Sequence, residues 1–419
     1  MKTTHKATLT PKLRFPEFRK EPGWEVDDLG EVADFVNEKI PLERIHLESY
    51  VSTENILTDY GGVTRASKLP ATGSVTRYKP KDTLVSNIRP YLKKVWIADK
   101  EGGASNDVIV IRAKQQLFTQ YFSCLLKNDA FIDYVMTGAK GVKMPRGDIG
   151  SMKKYPALYP SIPEQQKIAD CLTSLDELIA TQARKLDALK VHKKGLMQQL
   201  FPREGETQPR LRFPEFQDSP EWEEKQLGDI CVLVRGPFGG SLKKEIFVES
   251  GNSVYEQSHA IYEDFTSFRY FIPETKYNEL KRFSVNPGDI IMSCSGTMGK
   301  FAIIPQGASS GIINQALLKL TVKRSCLPKF LKAVLELPAN QEQLLSQSAG
   351  GAIKNVVSVA QIKELKLFIP SMGEQQRIAD CLTSLGDLIA AQTQKLEALK
   401  THKKGLMQQL FPSPEEVEA

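Results

Sequence analysis

One segment of 39 residues occurs twice in this chain of 419 residues. The copies, residues 164–202 and 374–412, align without gaps, differ at eight positions and end in the same eleven letters, HKKGLMQQLFP. In both copies apolar residues recur at alternating spacings of four and three, which is the heptad pattern of an amphipathic helix. A helix of this length reaches roughly 55 Å and cannot bury such a stripe alone. The repeat therefore predicts two long, equivalent helices that need a partner.

The economical partner for each predicted helix is the other copy. Two equivalent helices related by a two-fold axis run antiparallel, and we expect a coiled coil in which paired residue numbers sum to 571. This register pairs Leu175 with Leu396, Leu186 with Leu385, Gln182 with Ile389, and Ile179 with Gln392. The two glutamines then lie in adjacent central layers, where buried amides fix the register at some cost in stability. Alternatively, both glutamines lie near the solvent edge of the seam.

A shorter repeat lies upstream of each long segment. The letters LRFPEF occupy Leu13–Phe18 and Leu211–Phe216, and each copy is followed by a tryptophan and a Leu-Gly pair. Between the repeats only a skeleton P-x-D-x-x-x-S with a later lysine recurs, within residues 80–93 and 287–300. We expect two variable domains of one fold with different surfaces. The predicted boundaries are 1–160 and 216–370 for the variable domains, 161–202 and 371–412 for the connector helices, 203–215 for a linker and 413–419 for an acidic tail.

Each variable domain has the sequence pattern of an α/β (α+β) fold. Short β-rich runs come first, TLVSNI, KVWIAD and DVIVIRA in one domain and DIIMSC, KFAII and ALLKLTV in the other. A helical stretch follows in each, at residues 118–136 and 328–347. The first two runs of each domain enclose a polar loop, NIRPYLK in one and CSGTMGK in the other. We expect these loops to present side chains at positions that the flanking strands define.

Composition excludes several classes of protein. The chain has no apolar run of the roughly 20 residues that a membrane span needs, and its polar start is not a secretion signal, so we expect a cytoplasmic protein. The six cysteines never occur as CxxC, which favours small buried thiols over a zinc site. The net charge of +6 divides into +7 for residues 1–202 and −1 for residues 203–419. This mild surplus is compatible with polyanion binding but is weak evidence for it.

Motifs for catalysis are absent from the sequence. GTMGKF at residues 296–301 lacks the first glycine and the final Ser or Thr of a phosphate loop, and NIRPY only superficially resembles a methyltransferase motif. Neither HExxH nor GxSxG occurs. His192 and His402 have no second metal ligand beside them, and His259 is expected at the surface. We therefore expect no catalytic residue, metal or cofactor in this chain.

The arrangement as a whole resembles the specificity (S) subunits of type I restriction-modification systems. The resemblance covers nearly the full length: LRFPEF, a tryptophan, Leu-Gly, a variable domain and the EQQ…HKKGLMQQLFP helix, all repeated once. It implies that each variable domain is a target recognition domain that reads half of a split, asymmetric DNA site in the major groove. It also implies that the helices set the spacer and dock two methyltransferase subunits. S-adenosylmethionine, ATP and Mg would belong to those partners and to motor-nuclease restriction subunits.

Polar or cationic side chains in loop-like settings are the residues that we expect to contact DNA. Arginine addresses guanine edges, lysine neutralises phosphate, and short hydroxyls suit close approach to the backbone. The alternative for each is a solvated surface side chain, and the Gly-rich stretches ahead of the long helices could equally be flexible links. The predicted set is Arg65, Arg77, Ser86, Asn87, Arg89, Tyr91, Lys93, Lys94, Lys140, Lys143, Arg146, Arg235, Lys243, Lys244, Ser293, Ser295, Thr297, Lys300, Asn314, Gln315, Lys354 and Asn355.

Two identical outer faces on the helices suit two copies of one partner protein. The residues predicted to bind it are Lys194, Met197, Gln198, Gln199, Lys404, Met407, Gln408 and Gln409. A recent duplication or gene conversion would give the same identity without such a partner. Three other functions remain open at this point: a coiled-coil scaffold that joins two protein-binding domains, an enzyme with an unrecognised site, and a silent cassette that supplies recognition domains to another locus.

Overall fold

Two structural units divide the chain, and a computed structural model describes residues 9–203, 205–346 and 359–412 of them. Unit 1 comprises Met1–Ala183 and Gln394–Ala419, and unit 2 comprises Arg184–Thr393. Each unit therefore contains the first half of one long helix and the second half of the other. None of the helices in these described ranges has the length and apolar character needed to cross a bilayer.

The described part of unit 1 has three small sheets. Its strands are β1 Glu25–Asp28, β2 Ala33–Phe35, β3 Lys39–Pro41, β4 Tyr50–Val51, β5 Ser74–Tyr78, β6 Thr83–Ser86, β7 Val95–Ile97, β8 Gly102–Ala104, β9 Val108–Ala113 and β10 Pro156–Tyr159. Its helices are α1 Leu29–Val32, α2 Thr119–Leu126, α3 Asp129–Thr137, α4 Ile149–Lys153 and the first half of α5 Ile162–Leu200. The central sheet has the antiparallel order β2-β9-β6-β7, a second has the order β3-β5-β8-β4 with β4 and β8 parallel, and β1 pairs with β10.

Unit 2 repeats this framework with different outer elements. Its strands are β11 Glu223–Gln226, β12 Cys231–Arg235, β13 Asn252–Tyr255, β14 Phe271–Ile272, β15 Ile290–Ser293, β16 Phe301–Ile303, β17 Gly311–Ile313, β18 Leu317–Val322 and β19 Lys366–Ile369. Its helices are α6 Leu227–Ile230, α7 Gln257–Tyr262, α8 Glu274–Glu279, α9 Pro328–Leu335, α10 Pro338–Ser346, α11 Val359–Lys363 and the first half of α12 Met372–Leu410. The sheet β12-β18-β15-β16 corresponds to the central sheet of unit 1, and the second sheet has only three strands, β14-β13-β17.

The sequence patterns agree with these elements in both units. The three β-rich runs of each variable domain form β6, β7 and β9 or β15, β16 and β18, and the α/β character of both domains is confirmed. Each of the two predicted helical stretches forms two consecutive helices. In unit 1 the Asn128 side chain caps the second helix by accepting from the Ala130 amide at 3.0 Å. In unit 2 Pro338 starts the second helix because proline suits the first helical turn.

The heptad stripe is the least exposed side of both long helices. Every position of the 4-3-4-3 pattern in α5 and α12 is buried or half-buried, including Gln182 and Gln392, while Leu178 and Leu388 outside it are exposed. Each helix is followed by a phenylalanine that is buried in a core. Phe411 stacks on Tyr121 in unit 1, and Phe201 packs against Phe330 in unit 2. The identity of the two Phe-Pro ends thus has a packing reason.

An ion pair and an amide fasten the start of each long helix to its unit. In unit 1 Arg14 of the LRFPEF segment forms two hydrogen bonds with the buried Glu164 carboxylate, at 2.9 and 2.7 Å. The next residue, Gln165, accepts from the Phe118 amide and donates to two main-chain carbonyls. In unit 2 Arg212 binds Glu374 in the same way. The two repeats that are far apart in sequence therefore meet in each unit.

Candidate nucleic-acid interface

The repeated P-x-D skeleton builds the turn that leads into a central strand. Lys81 and Gly288 both have positive φ angles, 76° and 91°, as a tight turn at that position requires. The following carboxylate closes the turn: Asp82 accepts from the Lys79 amide at 2.8 Å, and Asp289 accepts from the Asn286 amide at 2.8 Å. The skeleton thus has a structural role. It forms the turn before β6 or β15, and the variable loop follows that strand.

Two neighbouring segments hold the variable loop of unit 1, residues 87–94. On one side the Arg89 amide donates to Pro145 and the Gly147 amide donates to Asn87, at 2.8 and 3.1 Å. On the other side residues 59 and 60 donate their amides to the carbonyls of residues 92 and 93. The structure therefore joins two predicted clusters, the NIRPYLK loop and the Gly-rich stretch around residue 146, into one surface.

Three predictions on these loops are corrected by burial. The Ser86 hydroxyl is buried and donates to the Ile88 carbonyl at 3.1 Å. The Ser293 hydroxyl is fully buried and accepts from the Lys300 amide at 3.0 Å. Asn87 is also buried, since Gly147 packs over its side chain. These side chains shape the loops and have no surface on which a nucleic acid could make a contact.

The remaining predicted cations of unit 1 differ in how they are paired. Lys93 lies 2.5 Å from Asp129, and the Lys94 amino group donates to the Thr53 carbonyl at 2.6 Å. Arg146 and Lys140 form exposed pairs with Asp107 and Asp148, at 2.8 and 3.3 Å. Lys143 and Tyr91 are exposed, and Arg89 is half-buried. Exposed ion pairs are weak, and a phosphate can readily replace the carboxylate in them. The cations of this surface can therefore still bind an anion.

Arg65 and Arg77 lie near the second sheet of unit 1, β3-β5-β8-β4, and both form ion pairs with glutamates. Arg65 contacts Glu48 at 2.7 Å. Arg77 is part of β5 and not of a loop, which corrects its predicted setting, and it contacts Glu38 and Glu101. Neither arginine joins the surface formed by the loop and the Gly-rich stretch within the described contacts.

The variable loop of unit 2, residues 294–300, has another chemistry. Ser295, Thr297 and Lys300 are exposed, as are Lys243 and Lys244 in a separate segment. Two predicted residues, Lys354 and Asn355, lie outside the described residues. The loop of unit 1 is arginine- and tyrosine-bearing, and that of unit 2 is rich in hydroxyls. The two units thus carry different surfaces on one framework.

Arg235 connects the unit 2 loop to the segment before β18. Its Nε donates to the Gln315 carbonyl at 3.1 Å, and its Nη2 lies 3.5 Å from the Cys294 carbonyl. Two guanidinium nitrogens thus contact main-chain carbonyls, which links both segments, and DNA contact by Arg235 stays a prediction. Gln315 is exposed, and the half-buried Asn314 accepts from the Ala316 amide through its side-chain oxygen at 3.0 Å.

Each predicted partner-binding face consists of exposed polar residues and one half-buried methionine. Lys194, Gln198, Gln199, Gln408 and Gln409 are exposed, as is Lys404. Met197 and Met407 are half-buried and pack against the cores of unit 2 and unit 1, which corrects their placement on an outer face. The repeated methionines consequently have a packing reason for their identity.

Asp129 is a functional candidate that the sequence reading missed. It lies between Lys93 of the variable loop and Lys404 of α12, at 2.5 and 3.3 Å. Partial burial opposes its ionisation, but the hydrogen bonds and charges of the two lysines outweigh this, and its pKa lies below the ordinary value. In unit 2 the position that follows the corresponding helix break is Pro338, so this carboxylate is specific to unit 1.

We expect Asp129→Asn to lower the melting temperature of the chain slightly at pH 7. A carboxylate with a depressed pKa stabilises the folded state above the ordinary pKa of about 4, and this contribution is lost as pH falls further. The Lys93 and Asp129 side chains are 29% and 28% exposed, so the effect is under about 1 kcal/mol. Melting of the variant and the parent from pH 7 to pH 3 checks this. A difference that does not shrink between pH 7 and pH 3 would contradict the ionic origin.

His259 and the cysteines are also placed by the structure. His259 is buried beside Tyr255 and Phe268, which corrects the expected surface position. Three cysteines are buried, three are half-buried and all are free thiols. Among the described residues no three His, Cys, Asp or Glu side chains are gathered in a way that could hold a metal ion.

The sequence profile of the family described as "Type I restriction modification DNA specificity domain" matches the chain twice. The matches cover residues 21–191 and 220–401, which is most of the length. The chain belongs to this family. Each match of the specificity domain contains one complete set of central strands, one variable loop and most of one long helix.

Relatives and solved structures agree with this membership. The type I restriction enzyme MjaVIII specificity subunit of Methanocaldococcus jannaschii is 22% identical over 409 residues, which are 95% of this chain and 93% of the relative. The putative MjaX specificity subunit of the same organism is 25% identical over 60% of this chain and 57% of its own length. A solved S subunit from M. genitalium has a TM-score of 0.60 at 16% identity, with 96% of this chain and 99% of that chain covered.

A second solved chain has a similar fold. It comes from a structure described as the basis of complex assembly and conformational transition of the type I R-M system, with a TM-score of 0.56 and 18% identity. The alignment covers 94% of this chain and 98% of that chain. At these identities the likeness to both solved chains shows a shared fold.

Several surface residues of the two units could not be predicted from any pattern in the sequence. Val142 and Met144 are exposed on the Gly-rich stretch of unit 1, and Gln257 and Arg269 lie near the variable loop of unit 2. Only the recurrence of an arginine and a glutamate in both repeats could have pointed to the Arg14–Glu164 pair. The other residues become neighbours through folding alone.

Proposed function

We propose that this chain is the non-catalytic DNA-recognition subunit of a type I restriction-modification system. In this proposal each unit reads one half of an asymmetric, bipartite site in the major groove. The single observation that carries it is that two matches of the DNA specificity family hold the same strand framework but different variable loops. One framework with two chemistries is what recognition of two different half-sites needs.

The loop surfaces support a division of roles, in which some residues bind phosphates and others recognise bases. In unit 1 Lys140, Lys143 and Arg146 are exposed cations that can neutralise phosphates. Arg89 lies beside them on a loop that neighbouring segments hold by main-chain hydrogen bonds. Arginine is the side chain that recognises guanine most often, so a held arginine beside phosphate-binding cations suits base reading. In unit 2 the hydroxyls of Ser295 and Thr297 suit a different base pattern.

We further propose that α5 and α12 form the antiparallel coiled coil that sets the spacer between half-sites. Within unit 1 the start of α5 shares a core with the end of α12, and Asp176 lies 2.5 Å from Lys403. Within unit 2 the start of α12 shares a core with the end of α5. Both observations favour opposite helix directions. The register in which Gln182 pairs with Ile389 and Ile179 with Gln392 stays a prediction.

The partners follow from the same proposal. The exposed Lys, Gln and Gln positions at the end of each helix dock two methyltransferase subunits, and restriction subunits join the complex for cleavage. S-adenosylmethionine, ATP and Mg belong to those subunits, which carry adenine methylation and ATP-dependent cleavage. The complex acts on DNA in the cytoplasm.

Salt dependence of DNA binding tests this function. We expect the chain, assembled with the modification subunits of its system, to bind duplex DNA that carries the site and to lose affinity steeply with salt. Neutralising six or more phosphates weakens binding by about 10³-fold or more between 50 and 200 mM salt. Fluorescence anisotropy with a labelled duplex measures the slope. Absence of duplex binding in low salt would favour the protein-scaffold function.

A further inference from the structure

Unit 2 has an open cleft of about 650 Å³ beside its variable loop. The cleft lies between α7, the segment that precedes β14 and the turn before β18. Its polar and aromatic lining includes Glu256, Gln257, His259, Phe268, Arg269 and Asn314. The side-chain Nε2 of Gln257 lies 3.5 Å from the position that a Cβ atom on Gly296 would occupy. The cleft therefore adjoins the variable loop directly.

One wall of the cleft is aromatic. His259 is stacked on Phe268 with 4.8 Å between ring centroids, and Phe268 packs edge-on against Tyr255 at 5.0 Å. The His259 Nδ1 lies 2.9 Å from the Glu256 amide nitrogen, and its Nε2 lies 3.2 Å from the Ser267 carbonyl. Because His259 is 4% exposed and both of its ring nitrogens contact main-chain groups, the ring that the wall offers to a ligand is the half-buried Phe268.

The rim of the cleft supplies hydrogen-bond donors. Asn314 uses its side-chain oxygen to accept from the Ala316 amide, which leaves the Nδ2 hydrogens as the group it can present. Arg269 is exposed and lies over the Tyr270 ring at 4.9 Å. Within the described parts of the chain it has no ion-pair partner. Gln257 is half-buried and carries both a donor and an acceptor.

A base edge suits this set of groups better than a phosphate. The Glu256 carboxylate lies in the lining and accepts from the main chain of α7, so a negative charge in the cleft would be repelled. Amide and guanidinium donors match the acceptors that guanine, adenine and thymine present in the major groove. An aromatic wall suits contact with a thymine methyl group in the major groove.

Unit 1 differs at the equivalent position. There the segment after β4 closes onto the variable loop, because the amides of Asp59 and Tyr60 donate to the carbonyls of Leu92 and Lys93 at 3.1 and 3.0 Å. In unit 2 the segment after β13 forms α7 and leaves the cleft open. A feature of one unit only can contribute to one half-site only.

We propose that Gln257, Arg269 and Asn314 are specificity-determining residues that read a base of one half-site in this cleft. The inference rests on the proposed DNA recognition and extends it to residues outside the variable loop. Arg269 and Asn314 donate to purine N7 or O6 or to thymine O4. Gln257 reads the neighbouring base pair, next to the variable loop.

Selection from a library of random duplexes tests the proposal. The chain, assembled with its modification subunits, is incubated with the library, and bound duplexes are sequenced for the parent and for Gln257→Ala, Arg269→Ala and Asn314→Ala. The parent is expected to select two words. We expect each variant to lose about 5- to 150-fold of the preference at one or two positions of one word, while the other word stays unchanged.

Arg324→Ala is the matched control. Arg324 is an exposed cation of the same unit, but it follows the far end of β18, roughly 20 Å along the strand from Asn314. It should leave both words unchanged, and thermal melting verifies that every variant is folded. Cleft variants that keep the parental word, or lose affinity equally for all sequences, would overturn the proposal. If the parent itself selects no word, the proposed function fails before the cleft is tested.

Discussion

Replacing Glu164 with alanine will lower the stability of unit 1 by about 3–5 kcal/mol, because it leaves a buried arginine charge without its partner. Arg14 and Glu164 side chains are 7% and 1% exposed and share two hydrogen bonds. The hydrogen bond to Glu164 is also the main reason why the pKa of Arg14 is raised. The guanidinium cannot escape by losing its proton, since arginine stays charged in proteins.

Equilibrium urea unfolding of the full chain measures this change, with hydrogen exchange of peptides from each unit to separate their transitions. Glu17→Ala is the matched control, because Glu17 pairs with Lys167 on the same helix and both side chains are about half exposed. Such a pair contributes about 1 kcal/mol or less. Equal losses for Glu164→Ala and Glu17→Ala would show that the buried pair does not hold α5 to the unit.

Unit 2 provides an independent repetition of the experiment. Glu374 forms the equivalent buried pair with Arg212, and Glu215 forms the equivalent exposed pair with Arg377. We expect Glu374→Ala to destabilise peptides of unit 2 and Glu215→Ala to have little effect. A loss confined to unit 1 in all variants would contradict the equivalence of the two frameworks.

Exchange of residues 31–155 for the corresponding segment of a relative will change one DNA word and leave the other intact. The exchanged segment contains the central sheet, the variable loop and the Gly-rich stretch of unit 1. The parental chain keeps the Arg14–Glu164 pair and the β1 strand that pairs with β10. The junctions lie where the Leu29 amide donates to the Tyr155 carbonyl, a main-chain contact that any sequence can make.

Mapping of methylated adenines in cells that express the exchanged chain with its modification subunits provides the readout. The reciprocal exchange, residues 229–365, is the control, because the Leu227 amide donates to the Leu365 carbonyl at the equivalent junction. It should change the other word. A change in both words after either exchange would contradict modular reading.

Local patterns explain which parts of the fold could be predicted. The heptad spacing predicted two long helices, and the buried stripes of α5 and α12 follow it residue by residue. Alternating and β-branched runs predicted the central strands for the same reason, since side-chain direction repeats every two residues in a strand. Helix breaks at Asn128 and before Pro338 were missed, because the apolar pattern continues across them.

Prediction of the candidate site was less complete, because exposure and pairing depend on distant residues. Ser86 and Ser293 lie in promising loops by sequence, yet both hydroxyls turn inward to main-chain partners. Lys93 was predicted correctly as part of the loop but not its pairing with Asp129, which lies 36 residues away. Arg269 and Gln257 join a cleft only because α7 packs beside the variable loop.

The duplication, the two amphipathic helices, the strand framework and the family could all be predicted from the amino-acid sequence. They depend on periodicity and repetition, which a linear chain displays directly. Folding brings Arg14 to Glu164, joins the two polar stretches of unit 1 into one surface and opens a cleft in unit 2. Those features arise from contacts between residues far apart in the chain, where the free energy depends on geometry that no local pattern encodes.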